Sequence, residues 1–298
     1  MDDYINYLLG ESIAFHLPFV RNVKNRNLRR LCLAAFSFLA VPNLLAARKR
    51  PTVPYVELAV TERCSLNCRA CANLMPLYES PRHYPLRDVL DQLDTLEKTV
   101  KSVLRLRVLG GEPFVYPELA GLLDDLCARA FVRSIEVVTN GTVLPRPEIR
   151  KRLKHKKIVV ITSDYGEMSR QKTALATVFK RERIRHRLLE YENWMDYGSI
   201  EPLGLSLEAM EQSYRMCGAA GCKTLLKGRL HTCPRDAHLF NLGILSDKSE
   251  SFDINSCDPA ALRAFYGQKT VSACDRCLPP PMRRDIPAAE QVKRAGEL

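Results

Sequence analysis

The feature that most constrains this chain is a short loop with three cysteines. Cys64, Cys68 and Cys71 form a Cys-x3-Cys-x2-Cys array directly after an apolar stretch, residues 55–60, which predicts a β-strand. A structural zinc ion or an ordinary four-iron cluster takes four protein ligands, so three thiolates on one tight loop are one too few for a closed site. The array therefore indicates a [4Fe-4S] cluster with one open iron.

A second motif, Gly110-Gly111-Glu112-Pro113, follows the next predicted strand. Two adjacent glycines let the backbone approach a ligand that larger residues would hold off, although this tetrapeptide alone would be only a turn. A zinc knuckle completed by a distant ligand explains neither this turn nor the order of strands and helices around it. A metal-dependent binding or regulatory protein, in which clusters are structural, stays open as an alternative.

The two motifs together resemble those of the radical S-adenosylmethionine (SAM) enzymes. In that family the open iron chelates SAM, one electron from a reductant such as flavodoxin or ferredoxin splits the sulfonium, and the 5′-deoxyadenosyl radical abstracts a substrate hydrogen. The resemblance implies that Gly110, Gly111 and Glu112 hold the SAM ammonium. It also implies that Asn140 and Ser163 contact the ribose and carboxylate, whereas their alternative role is in simple turns.

Predicted helices and strands alternate after the cysteine loop. We expect helices over residues 86–100, 118–130, 147–156 and 169–183, and strands over residues 103–109, 134–139, 158–161 and 186–189. Strands separated by helices of this length require crossovers and a parallel sheet. The sequence therefore predicts an α/β protein, and the resemblance implies a partial (β/α)6 TIM-like barrel over residues 55–205.

More cysteines follow in the last part of the chain. These cysteines are separated by a hairpin predicted over residues 223–232 and by a helix predicted over residues 259–266. The last two form a Cys-x2-Cys pair, which is a strong metal signature. The arrangement resembles the twitch or SPASM auxiliary-cluster module, which implies a small β-hairpin and helix module with a second [4Fe-4S] cluster over residues 206–298. A zinc ribbon is the alternative. The implied ligands are Cys233, Cys274, Cys277 and either Cys217 or Cys222.

Two cysteines of this region are in surplus as ligands. In radical SAM epimerases a thiol returns a hydrogen atom to the far face of the substrate radical, whereas in dehydrogenases the auxiliary cluster accepts an electron from it. One candidate hydrogen-atom donor is Cys257. The other is the member of the pair Cys217 and Cys222 that does not bind the cluster, which is Cys222 if Cys217 is the ligand. Either thiol could instead be buried and inert.

Residues 1–54 form a basic and apolar extension that differs from the rest of the chain. Residues 31–47 are strongly apolar, but Pro42 and Asn43 interrupt them, and basic residues flank them within residues 21–50. The run is too short and interrupted for a confident membrane-spanning helix. It favours a helix that docks on the barrel, with a helix at a membrane surface as the alternative.

Composition indicates the cellular compartment and the class of binding partner. The 11 cysteines, in short spacings and without a secretory signal, predict metal ligands in a reducing cytoplasm. The net charge of +11 favours anionic partners, but no RNA-recognition or zinc-finger signature favours nucleic acid. We therefore expect a small-molecule substrate, with epimerisation or oxidation of a carbohydrate, phosphorylated or nucleotide-linked, as the reaction. Modification of a ribosomal peptide is the alternative.

Overall fold

An open, mostly parallel sheet of eight strands is the centre of the computed structural model, which describes residues 50–292. The strand order is β5-β4-β3-β2-β1-β7-β8-β9, and β6 and β10 form a separate pair. The strands are β1 (Thr52–Ala59), β2 (Ser102–Leu109), β3 (Val132–Thr139), β4 (Ile158–Asp164), β5 (His186–Glu190), β6 (Asn193–Met195), β7 (Thr224–Leu226), β8 (Arg229–His231), β9 (Phe252–Asp253) and β10 (Asp285–Pro287).

Four helices connect the first five strands, so that the predicted alternation is confirmed. In α1 the apolar residues Val89, Leu93 and Leu96 recur on one face and are buried, which is why this segment folds as a helix against the sheet. The helices are α1 (Leu86–Thr99), α2 (Leu119–Ala128), α3 (Pro147–Leu153), α4 (Lys172–Arg181), α5 (Leu207–Arg215), α6 (Pro234–Asn241) and α7 (Pro259–Tyr266). The predicted α/β class with a partial, open barrel-like sheet is confirmed.

The sixth parallel strand lies on an unexpected side of the sheet. A (β/α)6 barrel would place it beside β5, but β7 pairs in parallel with β1, and β8 and β9 follow it with antiparallel pairings. The next strand after β5, β6, instead pairs with β10 near the end of the chain. The hairpin predicted for the C-terminal module therefore extends the same sheet, and the domain boundary at residue 206 stays a prediction.

The predicted N-terminal extension lies almost entirely outside the described residues. Its apolar run, residues 31–47, and most of its basic flanks fall in the undescribed part, so that docking and membrane contact stay predictions. Within residues 50–292, none of the helices has the length and apolar character needed to cross a membrane.

The two faces of the central strands differ in chemistry. Leu58, Val108 and Val137 lie at matching register on β1, β2 and β3 and are fully buried in the core that the helices cover. The residues one position earlier, Glu57, Arg107 and Glu136, point to the opposite face because side chains alternate along a strand. This second face carries charge in place of apolar packing.

Together with Tyr55 and Arg105, the residues Glu57, Arg107 and Glu136 form what we call the polar network. Arg107 donates two hydrogen bonds to Glu136, of 2.9 and 2.7 Å, and lies 3.6 Å from the Glu57 carboxylate. The Tyr55 hydroxyl donates to Glu57 at 2.6 Å, and both guanidinium groups lie over the Tyr55 ring. Arg105 and Arg107 keep 28% and 29% of their side-chain surface exposed. The network is therefore partly accessible through its two arginines, whereas Tyr55, Glu57 and Glu136 are buried.

Replacing Arg107 with Met tests the network. The buried carboxylate of Glu136 then loses both hydrogen bonds, so we expect the free energy of unfolding to fall by roughly 2–3 kcal/mol, less than for a fully buried pair because the arginine is partly solvated. Urea denaturation of the anaerobically prepared protein measures this. The control is Arg133→Met, at an exposed position of β3. Equal losses in both variants would contradict the assignment.

Candidate cluster and cofactor site

The cysteine loop begins at the carboxyl end of β1, where parallel strands place the loops that follow them at one edge of the sheet. Cys68 is buried, with 7% of its surface exposed, whereas Cys64 and Cys71 are partly buried. All three pack in one small cluster with Leu66 and further side chains. The remaining members of that cluster are Tyr165, Met168, Trp194 and Ala289.

Two of these thiols accept hydrogen bonds from amide groups. The Asn140 side chain donates to the Cys64 sulfur at 3.5 Å, and the Leu66 backbone N–H donates to the same atom. The Gln291 side chain donates to the Cys68 sulfur at 3.3 Å. Burial nevertheless raises the pKa of Cys64 to about 12 and that of Cys68 to about 11. A bound cation is what would hold both as thiolates.

The third thiol lies in a nest of backbone donors. Burial raises the pKa of Cys71, and the backbone N–H groups of three following residues oppose this rise by donating to its sulfur. Those residues are Asn73, Leu74 and Met75. Hydrogen bonds to the sulfurs are a recurring feature of iron–sulfur sites, where they stabilise negative charge on the ligands. The donor pattern at all three thiols therefore fits an anionic cluster.

Within residues 50–292 no group of three or more His, Cys, Asp and Glu side chains is arranged to hold a single metal ion.

The two adjacent glycines let the loop after β2 pack directly on the start of the cysteine loop. Gly111 N–H donates to the Thr61 carbonyl at 2.8 Å, and Glu112 N–H donates to the Arg63 carbonyl at 2.9 Å. A Cβ atom on Gly111 would lie 2.1 Å from the Arg63 carbonyl oxygen, and one on Gly110 would lie 2.3 Å from the Thr61 oxygen. Only glycine permits this approach.

Glu112 links the ends of two strands. Its side chain is fully buried, and its carboxylate accepts hydrogen bonds from Phe114 N–H at 3.0 Å, Asn140 N–H at 2.8 Å and the Thr139 hydroxyl at 3.0 Å. Burial raises the pKa of Glu112 to about 7, against these three donors. The carboxylate therefore fastens the end of β2 to the end of β3, while its predicted contact with SAM stays a prediction.

The structure brings the other predicted cofactor residues to the same edge. Asn140 follows β3, and its side chain reaches Ser65 at 3.0 Å in the cysteine loop. Ser163 lies near the end of β4, and the Ser169 hydroxyl donates to its carbonyl at 3.0 Å. The loop residues, the glycines, Asn140 and Ser163 thus share one end of the sheet, and their contacts with SAM stay predictions.

A second group of cysteines surrounds a cavity beside the cysteine loop. The cavity has a volume of about 410 Å³, and Cys217, Cys233 and Cys277 line it together with Ala70 and Ala72 of the loop. Burial raises the pKa values of Cys233, Cys274 and Cys277, and the nearby charge of Cys217 raises each one further. Cys217, not Cys222, therefore shares the neighbourhood of the other three thiols.

The two candidate hydrogen-atom donors, Cys222 and Cys257, lie outside this group. The Cys222 thiol donates a hydrogen bond to the Glu57 carboxylate in the polar network. Cys257 is exposed beyond β9, and its thiol donates to the Ile254 carbonyl, which also accepts from Thr99 at the end of α1. Because α1 ends where β2 begins, this is the opposite edge of the sheet from the cysteine loop. Cys257 thus lies away from the cysteine loop, and its donor role stays a prediction.

Two sets of residues that the structure reveals were not predicted from the sequence. One is the pair Arg105 and Arg107, although their alternation with apolar residues in β2 was a visible signal that one face of that strand is polar. The other is Gln291, which lies 223 positions from Cys68 along the chain and carries no local pattern. Only tertiary structure reveals the second contact.

Part of the chain is similar to a known family. Residues 58–185 match the family model of the radical SAM superfamily, whose members use SAM and a [4Fe-4S] cluster.

Individual proteins match different shares of the chain. GTP 3',8-cyclase 1 of Pseudomonas aeruginosa is 33% identical over 99 residues, which are 32% of this chain and 28% of that protein. The chain thus matches less than a third of the length of this curated relative. Among solved structures, BtrN in complex with AdoMet and 2-DOIA matches with a TM-score of 0.49 and 14% identity, over 76% of this chain and 94% of that chain. Streptococcus suis SuiB matches with a TM-score of 0.38 and 20% identity, over 56% and 39%.

Replacing Gly111 with Ala tests the close contact at the cysteine loop. The added methyl group would push the Arg63 carbonyl away and displace the adjacent thiols, so we expect a loss of about four iron atoms per chain. Iron and sulfide analysis after anaerobic reconstitution measures this. Gly267→Ala is the control, because a Cβ there meets its nearest atom at 3.4 Å. Full iron content in Gly111→Ala would refute the argument.

Proposed function

We propose that this protein is a radical SAM enzyme that cleaves SAM reductively and abstracts a hydrogen atom from a substrate. The observation that carries the proposal is the arrangement of Cys64, Cys68 and Cys71 on one loop, with donors at every sulfur. The loop lies against the turn Gly110–Gly111 at the carboxyl edge of the sheet. When bound, the cluster and SAM supply the 5′-deoxyadenosyl radical.

The chain's own residues would prepare this site in distinct ways. Cys64, Cys68 and Cys71 would hold the cluster as its three protein ligands and would leave a coordination position for SAM. The glycines bring the backbone of the second loop close enough to meet the SAM ammonium, and Glu112 fixes that loop from below. Asn140 and Ser163, whose elements end at the same edge, are proposed to contact the ribose and carboxylate. The family resemblance implies these contacts of the glycines, Asn140 and Ser163 with SAM, and it implies that Glu112 contacts the SAM ammonium as well.

We further propose a second [4Fe-4S] cluster of the twitch type held by Cys217, Cys233, Cys274 and Cys277. In support, Cys217, Cys233 and Cys277 line one cavity, and Cys217 and Cys274 are close enough for their charges to interact. The cavity reaches Ala70 and Ala72 of the first loop, so both clusters would adjoin one space. Cys222 is left over as a thiol, since it bonds to Glu57 instead.

For the substrate, we propose a carbohydrate-type metabolite that is epimerised or oxidised. The polar network supports this, because two carboxylates and two partly exposed guanidinium groups offer alternating acceptors and donors, as vicinal hydroxyl groups require. Their opposite charges also compensate each other, which suits a polyhydroxyl group. Cys222 adjoins this network through Glu57 and is the candidate donor of the returning hydrogen atom.

SAM cleavage tests the proposal. The reduced, reconstituted protein should release 5′-deoxyadenosine from SAM, and Cys64→Ala should abolish this because the cluster loses one of its three thiolates. Chromatographic detection of 5′-deoxyadenosine measures it. Cys257→Ala is the matched control, a thiol at the opposite edge of the sheet, and should retain the activity. Zinc at the loop and intact SAM under strong reductant would overturn the proposal and favour a structural metal-binding protein.

The ligand set of the second cluster has its own test. Cys217→Ala should lower the iron content from about seven or eight atoms per chain to about four, whereas Cys222→Ala should leave it unchanged. Iron analysis and Mössbauer spectra of both variants measure this. The reverse result would exchange the roles of Cys217 and Cys222.

The substrate class can be tested without a prior candidate. The reduced enzyme is incubated with a cell extract in heavy water, and metabolites that gain deuterium are found by mass spectrometry. Label in a sugar or sugar phosphate that is lost with Cys222→Ala would support epimerisation with Cys222 as the donor. Label or mass loss in peptides alone would favour the alternative, a peptide-modifying enzyme.

A further inference from the structure

The end of the described chain crosses back over the cysteine loop. We call residues 285–292 the C-terminal strap. Its first part, β10, pairs antiparallel with β6, and Ala288 N–H donates to the Glu192 carbonyl at 2.9 Å. Ala289 is fully buried against Cys68 and Leu66, in the left-handed region with φ of 55°. The strap thus closes one side of the loop that carries the thiols.

Several contacts fix the strap on the loop. Asn67 and Val292 exchange two hydrogen bonds, of 2.6 Å from the Asn67 side chain and 2.9 Å from the Val292 backbone N–H. Arg69 N–H donates to the Glu290 carbonyl at 2.8 Å, and the Arg69 guanidinium lies 2.7 Å from the Glu290 carboxylate. Both contact pairs flank Cys68, so the strap follows the loop on either side of this cysteine.

The orientation of the Gln291 amide is determined by its neighbours. Its oxygen accepts from the Asn67 backbone N–H at 2.7 Å, and a backbone N–H can only donate. The amide nitrogen must therefore face the other way, where it donates to the Ala289 carbonyl at 2.6 Å and to the Cys68 sulfur at 3.3 Å. No flipped amide would satisfy all three partners.

A hydrogen bond to a cluster ligand acts on the redox equilibrium. Reduction adds negative charge to the cluster and its sulfurs, so that an N–H donor stabilises the reduced state more than the oxidised state and raises the reduction potential. Cys68 is 7% exposed, whereas Gln291 is exposed, so the strap lies between this sulfur and solvent. Gln291 is therefore the residue that lies between the Cys68 sulfur and water at this point of the strap.

We propose that Gln291 is a positioning residue for the radical SAM cluster, and that its amide hydrogen bond to Cys68 sets the ease with which the cluster accepts its electron. The inference rests on the proposed function, because it requires the cluster at Cys64, Cys68 and Cys71. It adds a residue from the far end of the chain to a site that the three-cysteine motif alone would not reveal.

The test compares reduction potentials in the full-length protein. Gln291→Leu removes the donor at similar size, and Gln291→Glu keeps the acceptor for Asn67 N–H but replaces the donor with negative charge. Glu290→Gln is the control, because it alters an exposed ion pair of the same strap and leaves the amide of Gln291 in place. Potentials are measured by redox titration with electron paramagnetic resonance, using the change of the signal on SAM addition to identify the cluster.

We expect the ratio of reduced to oxidised cluster at a fixed potential to fall about fivefold in Gln291→Leu, for a hydrogen-bond difference of about 1 kcal/mol between the two states. This equals a shift of roughly 40 mV to lower potential at about 59 mV per tenfold change. The reduction potential should fall further in Gln291→Glu and should equal that of the wild type in Glu290→Gln. The reduction potential of both Gln291 variants should lie below that of the wild type with SAM and without it.

The outcomes separate the inference from the proposed function. Wild-type protein without a SAM-responsive cluster would reject the proposed function. A full cluster with unchanged potential in Gln291→Leu and Gln291→Glu would reject the role of Gln291 alone. If Gln291→Leu cannot retain iron, the potential of Gln291→Glu decides, and an unchanged potential in that variant rejects the role of Gln291. Equal potential shifts in all three variants would assign the effect to the strap in general and reject Gln291.

Discussion

The close packing of two loop backbones is the contact on which the rest of the site depends. Parallel pairing of β1 with β2 places the loops that follow them side by side, but only glycine at position 111 lets the second loop reach the Arg63 carbonyl. Glu112, in the next position, then binds the end of β3 through its buried carboxylate. One tight contact thus aligns three strand ends around the thiols. A side chain at that point would separate them.

Burial opposes negative charge on the sulfurs of both cysteine sets. Burial raises the pKa of the thiols, so an anionic sulfur requires positive charge or donors nearby. The first set has backbone and amide donors at every sulfur, including Gln291 from the strap. In our proposal an iron–sulfur cluster would supply the positive charge at the first set, and these donors would already be in place when it binds.

The sheet separates stability from chemistry by its two faces. The core side, with Leu58 and Val108, is fully buried and carries the hydrophobic stabilisation. The opposite side carries Glu57, Arg107 and Glu136 at matching register, an arrangement whose desolvation costs free energy that ion pairing offsets only in part. The two arginines of the network remain partly exposed, and in our proposal they recognise a polar substrate, with Cys222 bonded to Glu57 of the same network.

Local sequence determined much of this protein. The spacing of Cys64, Cys68 and Cys71, the Gly-Gly-Glu-Pro turn and the alternation of helices with strands are short-range patterns, and they predicted the α/β fold and the edge at which the site lies. They could do so because hydrophobic periodicity and turn chemistry act over a few residues.

Tertiary structure alone decided the long-range partners. The pairing of β7 with β1, the position of Cys217 among the other thiols, the separation of Cys257 from the site and the contact of Gln291 with Cys68 each join segments that are distant in sequence. No local pattern encodes such contacts, since they follow from how whole elements pack and from which backbone groups remain to be paired.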